Sequence, residues 1–116
     1  LKYAIEVFPD NASAHHSYGL WLIRQHKPDE ALPYLRRATE YEGTTARYAY
    51  VYAVALETLG RLEVALSQIV GARTSWPNDM DLLTTEIRLR QRTGDTASIP
   101  KLGEELRMLQ SAVRRD

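Results

Sequence analysis

This sequence predicts an all-α solenoid, a stack of antiparallel helix hairpins, and three observations carry that prediction. The chain matches itself when shifted by 34 residues. Its small residues recur at fixed places inside helix-period apolar patterns. Its glycines and prolines fall between those patterns, where helices stop and start.

The offset aligns side chains of like size. Tyr18 lands on Tyr52, Leu22 on Leu56, Ala31 on Ala65, Leu35 on Ile69 and Ala38 on Ala72. Ala12 lands on Ala46 and then Met80, Pro9 on Gly43 and then Pro77, and Gly60 on Gly94. Shifted backward, Leu35 and Ala38 land on Leu1 and Ala4. Two antiparallel helices approach closely only where small residues sit at the crossing. Gly19, Ala31, Ala38, Ala53, Ala65 and Ala72 supply that clearance, and Tyr18, Leu22, Leu35, Tyr52, Leu56 and Ile69 fill the remaining volume.

The spacing predicts seven helices, near 1–8, 12–26, 29–41, 46–59, 62–75, 79–93 and 98–114. Pro28 and Pro77 mark breaks between helices, and Gly60 and Gly94 suit left-handed C-terminal caps. Asp29 and Asp79 suit N-caps or first-turn acids. Pro33 and Pro100 fall near the first turn of their helices, where a missing N–H costs little. Tyr48, Tyr50 and Tyr52 alternate as in a strand, but the 34-residue alignment outweighs that pattern. In a helix Tyr52 goes inside and Tyr50 faces outward. Trp21 and Trp76 are expected in the core or between helices. The last helix carries Leu102, Leu106, Leu109 and Val113 on one face, with Lys101, Glu104, Glu105, Arg107, Gln110 and Arg114 opposite. One apolar and one wet face suit a terminal capping helix.

This pattern resembles the tetratricopeptide repeat, whose units run through a large residue, Leu-Gly, Tyr, Ala, Phe and Pro at set spacings. The best match runs over 46–79, with Tyr52-Ala53, Leu56, Ala65, Ile69, Ala72 and Pro77. A second unit, 12–45, supplies Tyr18-Gly19, Leu22, Ala31, Leu35 and Ala38. The segment 80–116 is degenerate: Glu86 and Arg90 stand where Tyr and Leu are expected, and Ile99, Gly103 and Leu106 where Ala, Phe and Ala are expected. The segment 1–11 reads as the second helix of a truncated repeat, so the sequence is expected to be cut from a longer protein. The stretch from Ala46 to Leu66 is also similar to tetratricopeptide tails of larger bacterial proteins, including multihaem cytochrome-type chains. No haem-attachment motif is present, so no cofactor is expected. The resemblance implies a right-handed superhelical solenoid forming a single domain.

Composition limits the chemistry. Fifteen Lys and Arg balance fifteen Asp and Glu, which argues against a nucleic-acid partner. Arg88, Arg90 and Arg92 form the densest basic cluster, diluted by Glu86 and Asp95. No cysteine is present, so disulfides and thiolate metal sites are excluded. No apolar run approaches the roughly 18 residues of a membrane helix, so membrane insertion is not expected. His15 and His16 point about 100° apart on a helix and His26 sits at a distant turn, so no metal site is expected. His15 reads as a structural histidine and His16 as one step round toward the groove. No phosphate loop, nucleophile elbow or catalytic triad pattern occurs, and no catalytic residue is expected. Asn11-Ala12-Ser13 fits a glycosylation sequon, a pattern too short to weigh.

The resemblance implies that successive first helices line a concave groove holding a peptide or protein segment. Its expected lining is His16, Leu20 and Ile23, then Arg47, Tyr50, Val54 and Glu57, then Asp81, Thr84, Arg88, Gln91 and Arg92. An apolar centre at Leu20, Tyr50 and Val54 with a polar rim suits a peptide. Where relatives that clamp a chaperone's terminal carboxylate carry basic and amide donors, this chain has His16, Leu20, Val51, Asp81 and Thr85. That partner is therefore not expected. The expected function is a non-catalytic protein-binding scaffold; the alternatives are self-association through the Leu1–Phe8 helix and an accessory domain of a larger enzyme.

Overall fold

The computed structural model describes residues 2–115, with the side chains of 2–114. Over this range the chain forms seven helices and no strand: α1 Lys2–Val7, α2 Ala12–Arg24, α3 Pro28–Glu40, α4 Ala46–Thr58, α5 Leu62–Ser75, α6 Met80–Thr93 and α7 Ile99–Arg115. The expected first helix starts at Lys2, and Leu1 lies outside the described residues.

The 34-residue period extends to the caps. Asn11, Thr45 and Asp79 each accept a hydrogen bond from the backbone N–H three residues on, opening α2, α4 and α6. The helices of the two complete units also close alike. Lys27 N–H donates to the Leu22 carbonyl and His26 N–H to Ile23; Arg61 N–H donates to Leu56 and Gly60 N–H to Glu57. This is the paired bonding of a Schellman motif, which places one residue in the left-handed region. Gly60 occupies it at φ 78°, Gly94 ends α6 at φ 84°, and His26 takes the equivalent place at φ 59°. A side chain in that region carries steric strain, though His tolerates it better than a β-branched residue.

Pro33 departs from expectation. Helix α3 begins at Pro28, so Pro33 lies in its second turn rather than its first. Its ring is solvent-exposed, and the carbonyl of Asp29 that loses its partner lies on that same wet face.

Each helix packs on its neighbours in sequence, α2 on α3, α4 on α5 and α6 on α7, with α3 on α4 and α5 on α6 joining the pairs. At the α2–α3 crossing, Gly19 lets the backbone ride against Leu35, which is fully buried. A continuous core runs through Leu22, Ala31, Leu35, Tyr52, Ala53, Leu56, Ala65, Ile69, Leu82 and Leu89. The molecule measures 45 × 33 × 21 Å with a radius of gyration of 15.3 Å. A compact domain of this length has a radius near 13 Å, so the stack is elongated.

The third hairpin fills its off-pattern positions with charge. Glu86 is 4% exposed and accepts hydrogen bonds from Arg73 at 3.0 Å and Arg90 at 2.8 Å. Arg73 also reaches Glu105 of α7 and the Pro77 carbonyl, and Arg90 reaches Asp95. Glu105, expected on the wet face of α7, is thus half-buried in this network. Farther along α7 the apolar stripe opens: Leu102 is buried, Leu106 and Leu109 are half-buried, and Val113 is 59% exposed.

Candidate functional site

Helices α2 and α4 meet through side chains such as His16 and Tyr48, and α4 meets α6 through Glu57, Arg88 and Arg92. Helical spacing puts Leu20 and Ile23 of α2 beside Val51, Val54, Ala55 and Thr58 of α4. Together with His26 and Pro28 at one end they line a cleft of about 290 Å³. The side chains of Leu20, Ile23, Val51 and Val54 are half-buried, so their apolar flanks form its walls. Cofactor-sized pockets span about 300–1,000 Å³, so this slot suits one side chain of a longer ligand.

Next to the slot, across α4, lies a carboxylate gripped by two guanidiniums. Glu57 of α4, 9% exposed, accepts from Arg88 Nε at 3.1 Å, Arg88 Nη2 at 2.8 Å and Arg92 Nη1 at 2.8 Å. The hydrogen bond from Arg88 holds the Glu57 carboxyl below the usual carboxylate range; burial works the other way, and Arg92 adds to the lowering. The same bond raises the pKa of Arg88. Near the other end of α4, the exposed Arg47 lies over the Tyr50 ring at 5.0 Å, a cation–π contact.

The structure therefore brings together Leu20, Ile23 and Val54 in the slot, and Arg88, Arg92 and Glu57 beside it. Gln91, Asp81 and Thr84 are exposed on α6, away from the slot. His16 corrects the sequence expectation. It is 9% exposed, stacked on Tyr48 at 4.1 Å with 20° between the planes, and its Nδ1 is buried without a partner among the described residues. Tyr48, one helix over, covers a position that helical spacing alone turns toward the groove. Thr85 is also inside, its hydroxyl donating to the Asp81 carbonyl. Trp21 is 38% exposed with its ring stacked on Tyr18, at the edge of the core rather than in it. His15 is buried as expected, bonded through Nε2 to the Pro9 carbonyl at 2.7 Å and packed against Tyr34 and Tyr41. His26, Pro28, Ala55 and Thr58 are slot residues that were not expected in the groove from the sequence.

Burial, and then the charge of Arg47, lower the pKa of His16 from its ordinary 6.5. Below that pH the unfolded chain takes up a proton that the folded chain refuses. Stability is therefore complete above about pH 6.5 and falls as pH drops toward the folded-state pKa. In urea unfolding at about pH 7.5 and pH 5.5, the wild type is expected to lose more stability than His16→Phe. Equal losses in the two chains contradict this placement of His16.

A second cleft of about 340 Å³ lies between α3 and α5, lined by Thr39, Glu40, Ser67, Gln68, Gly71 and Trp76 among others. It is more polar and lacks an aliphatic wall. Among the described residues no group of three His, Asp or Glu is placed to hold a metal ion, and no helix is long and apolar enough to cross a membrane.

No family model matches this sequence, and no curated protein matches it. Solved structures do. YrrB, described as "a TPR protein with an unusual peptide-binding site", superposes with a TM-score of 0.73 over 88% of this chain at 22% identity. A MamA AMB-1 structure gives 0.78 over 95% at 21% identity, and a MamA RS-1 double mutant 0.83 over 99% at 17% identity. This chain spans 53%, 60% and 65% of those three chains, less than two thirds of each. With seven helices paired in sequence and superposition over nearly its full length, the chain has the fold of the tetratricopeptide repeat.

Proposed function

We propose that this chain is a non-catalytic scaffold that holds an extended segment of a protein partner across the outer face of α2, α4 and α6. The apolar slot carries this reading. It is the cleft with an almost wholly aliphatic wall, and it falls on the helices that the sequence resemblance assigns to a groove. The peptide-binding site described for the structurally similar YrrB supports it. A slot of this size seats one aliphatic side chain, and the polar rim fixes the direction of the main chain.

Val54→Gln tests the reading, because it puts an amide into the slot wall without touching the buried core. Peptides selected on the wild type by phage display are expected to bind this variant at least about ten-fold more weakly, a loss of about 1.4 kcal/mol. Its melting temperature should stay within about 3 °C of wild type. Unchanged affinity with intact folding contradicts the slot as the binding site.

A second reading rests on α1. Tyr3, Val7 and Phe8 are 74%, 46% and 61% exposed, an apolar group at one end of the stack that could join two copies. Sedimentation at increasing concentration decides it: a strict monomer removes self-association.

A further inference from the structure

Resting on the peptide-groove reading, we propose that the partner segment adopts a polyproline II conformation and carries an acidic residue three positions from its aliphatic anchor. The anchor enters the slot between α2 and α4, and the acidic side chain meets Arg88 and Arg92 between α4 and α6.

Charge supplies the first argument. Arg88 and Arg92 are fixed by Glu57, yet their side chains remain 41% and 49% exposed. Among the described residues, Nη1 of Arg88 and Nε and Nη2 of Arg92 donate to no protein atom, whereas Arg88 Nε and Nη2 and Arg92 Nη1 face Glu57. Two cations share one carboxylate there, leaving an excess of one positive charge. Glu57 thus holds the two guanidiniums in place while their free edges face solvent. A pre-positioned guanidinium fork with unfilled donors is suited to a second carboxylate.

Geometry supplies the spacing. The slot lies in the furrow between α2 and α4, and the arginines lie across the next furrow, between α4 and α6. Packed helices stand about 8–10 Å apart, so successive furrows are separated by the same distance. A polyproline II chain rises about 3.1 Å per residue with three residues per turn. Residues three apart then lie about 9.3 Å from each other on one face of the ligand, matching the furrow spacing. A β-strand returns to one face after two residues, about 6.6 Å, and falls short. The proposed ligand is therefore an aliphatic residue, two spacers and Asp or Glu, with Pro favoured in the spacers.

The experiment uses an oriented library of nine-residue peptides with Leu fixed at one position and Asp, Asn, Pro, Ala and Ser mixed at the others. Peptides retained by the immobilised chain are sequenced. Asp is expected to exceed Asn at the third position after (or before) Leu by about two- to five-fold, as for a partly exposed ion pair. That preference should vanish in Arg88→Gln/Arg92→Gln. Because that variant leaves Glu57 without partners and could unfold, Glu57→Gln is the second arm. Gln Oε1 still accepts from the guanidiniums while the competing charge is gone, so the Asp preference should rise by a further two-fold or more. Retention of Leu peptides with no acidic preference, a preference at another spacing, or an unchanged preference in Glu57→Gln overturns this proposal and leaves the groove standing. Retention of no peptide at all overturns the groove reading itself.

Discussion

Glu86→Ala is expected to cost about 3 kcal/mol of folding free energy, the lower end of the effect of removing one partner from a buried ion pair, because Arg73 keeps Glu105 and Arg90 keeps Asp95. The substitution strips Arg73 and Arg90 of their shared carboxylate while both stay largely covered, at 14% and 17% side-chain exposure. Arg73 is the more vulnerable, because its Nε already lies buried without a partner. Against a domain stability of about 5–15 kcal/mol such a loss is severe. It should appear first in the C-terminal hairpin, since α7 is tied to the rest through α6 and through the Arg73–Glu105 bond. Hydrogen exchange should accelerate in α6 and α7 before α2 and α3. The complementary variant, with Leu at positions 73, 86 and 90 together, removes the charges along with their need for partners. It is expected to match or exceed the wild type in urea unfolding, because well-packed apolar groups often replace a buried ion network without loss. If Glu86→Ala unfolds at the wild-type urea concentration, the network is a surface feature.

Leu35→Ala is expected to cost about 2–5 kcal/mol, lowering the melting temperature by roughly 10–20 °C. Leu35 is fully buried against the backbone of α2 at Gly19. Gly19 turns this into a sharper test. A Cβ added at Gly19 would lie 2.6 Å from Leu35 Cδ2 and 2.7 Å from Cγ. Gly19→Ala alone should therefore destabilise by about 1 kcal/mol, overpacking outweighing the gain in helix propensity. In the Leu35→Ala background the clash is gone, and Gly19→Ala should stabilise by about 0.5–1 kcal/mol. A change of sign in a double-mutant cycle reports direct contact. Additive effects would place the α2–α3 crossing elsewhere.

Much of the architecture was legible because a repeat states each rule more than once. The 34-residue match of Tyr18 with Tyr52 and Leu22 with Leu56 located the core, and the same offset carries the caps Asn11, Thr45 and Asp79. Asp79 was expected as a cap from its residue type, and shifting it back by one and two periods gives Thr45 and Asn11. The left-handed place of Gly60 and Gly94, shifted back, falls on His26, so the strained turn was predictable too. In the third hairpin the residue types misled. Glu86 and Arg90 at core positions looked like decay of the pattern, yet opposite charges one turn apart at inward sites are a signal of a buried pair. Their partner Arg73 could not be read, since that pairing depends on how α5 lies on α6. The candidate site divides in the same way. Leu20, Ile23 and Val54 followed from helical spacing, whereas the burial of His16 under Tyr48 and the grip of Arg88 and Arg92 on Glu57 are contacts between helices.

In the proposed binding mode the partner lies across α2, α4 and α6 with its anchor between Leu20 and Val54. Titrating the ¹⁵N-labelled chain with the best peptide from the library, and following backbone amide shifts, tests it most directly. The largest changes are expected at Leu20, Ile23, Val51, Val54 and Thr58, with Arg88 and Arg92 next and little movement on α3 and α5. Shifts centred instead on Thr39, Ser67 and Gly71, in the cleft between α3 and α5, would contradict it.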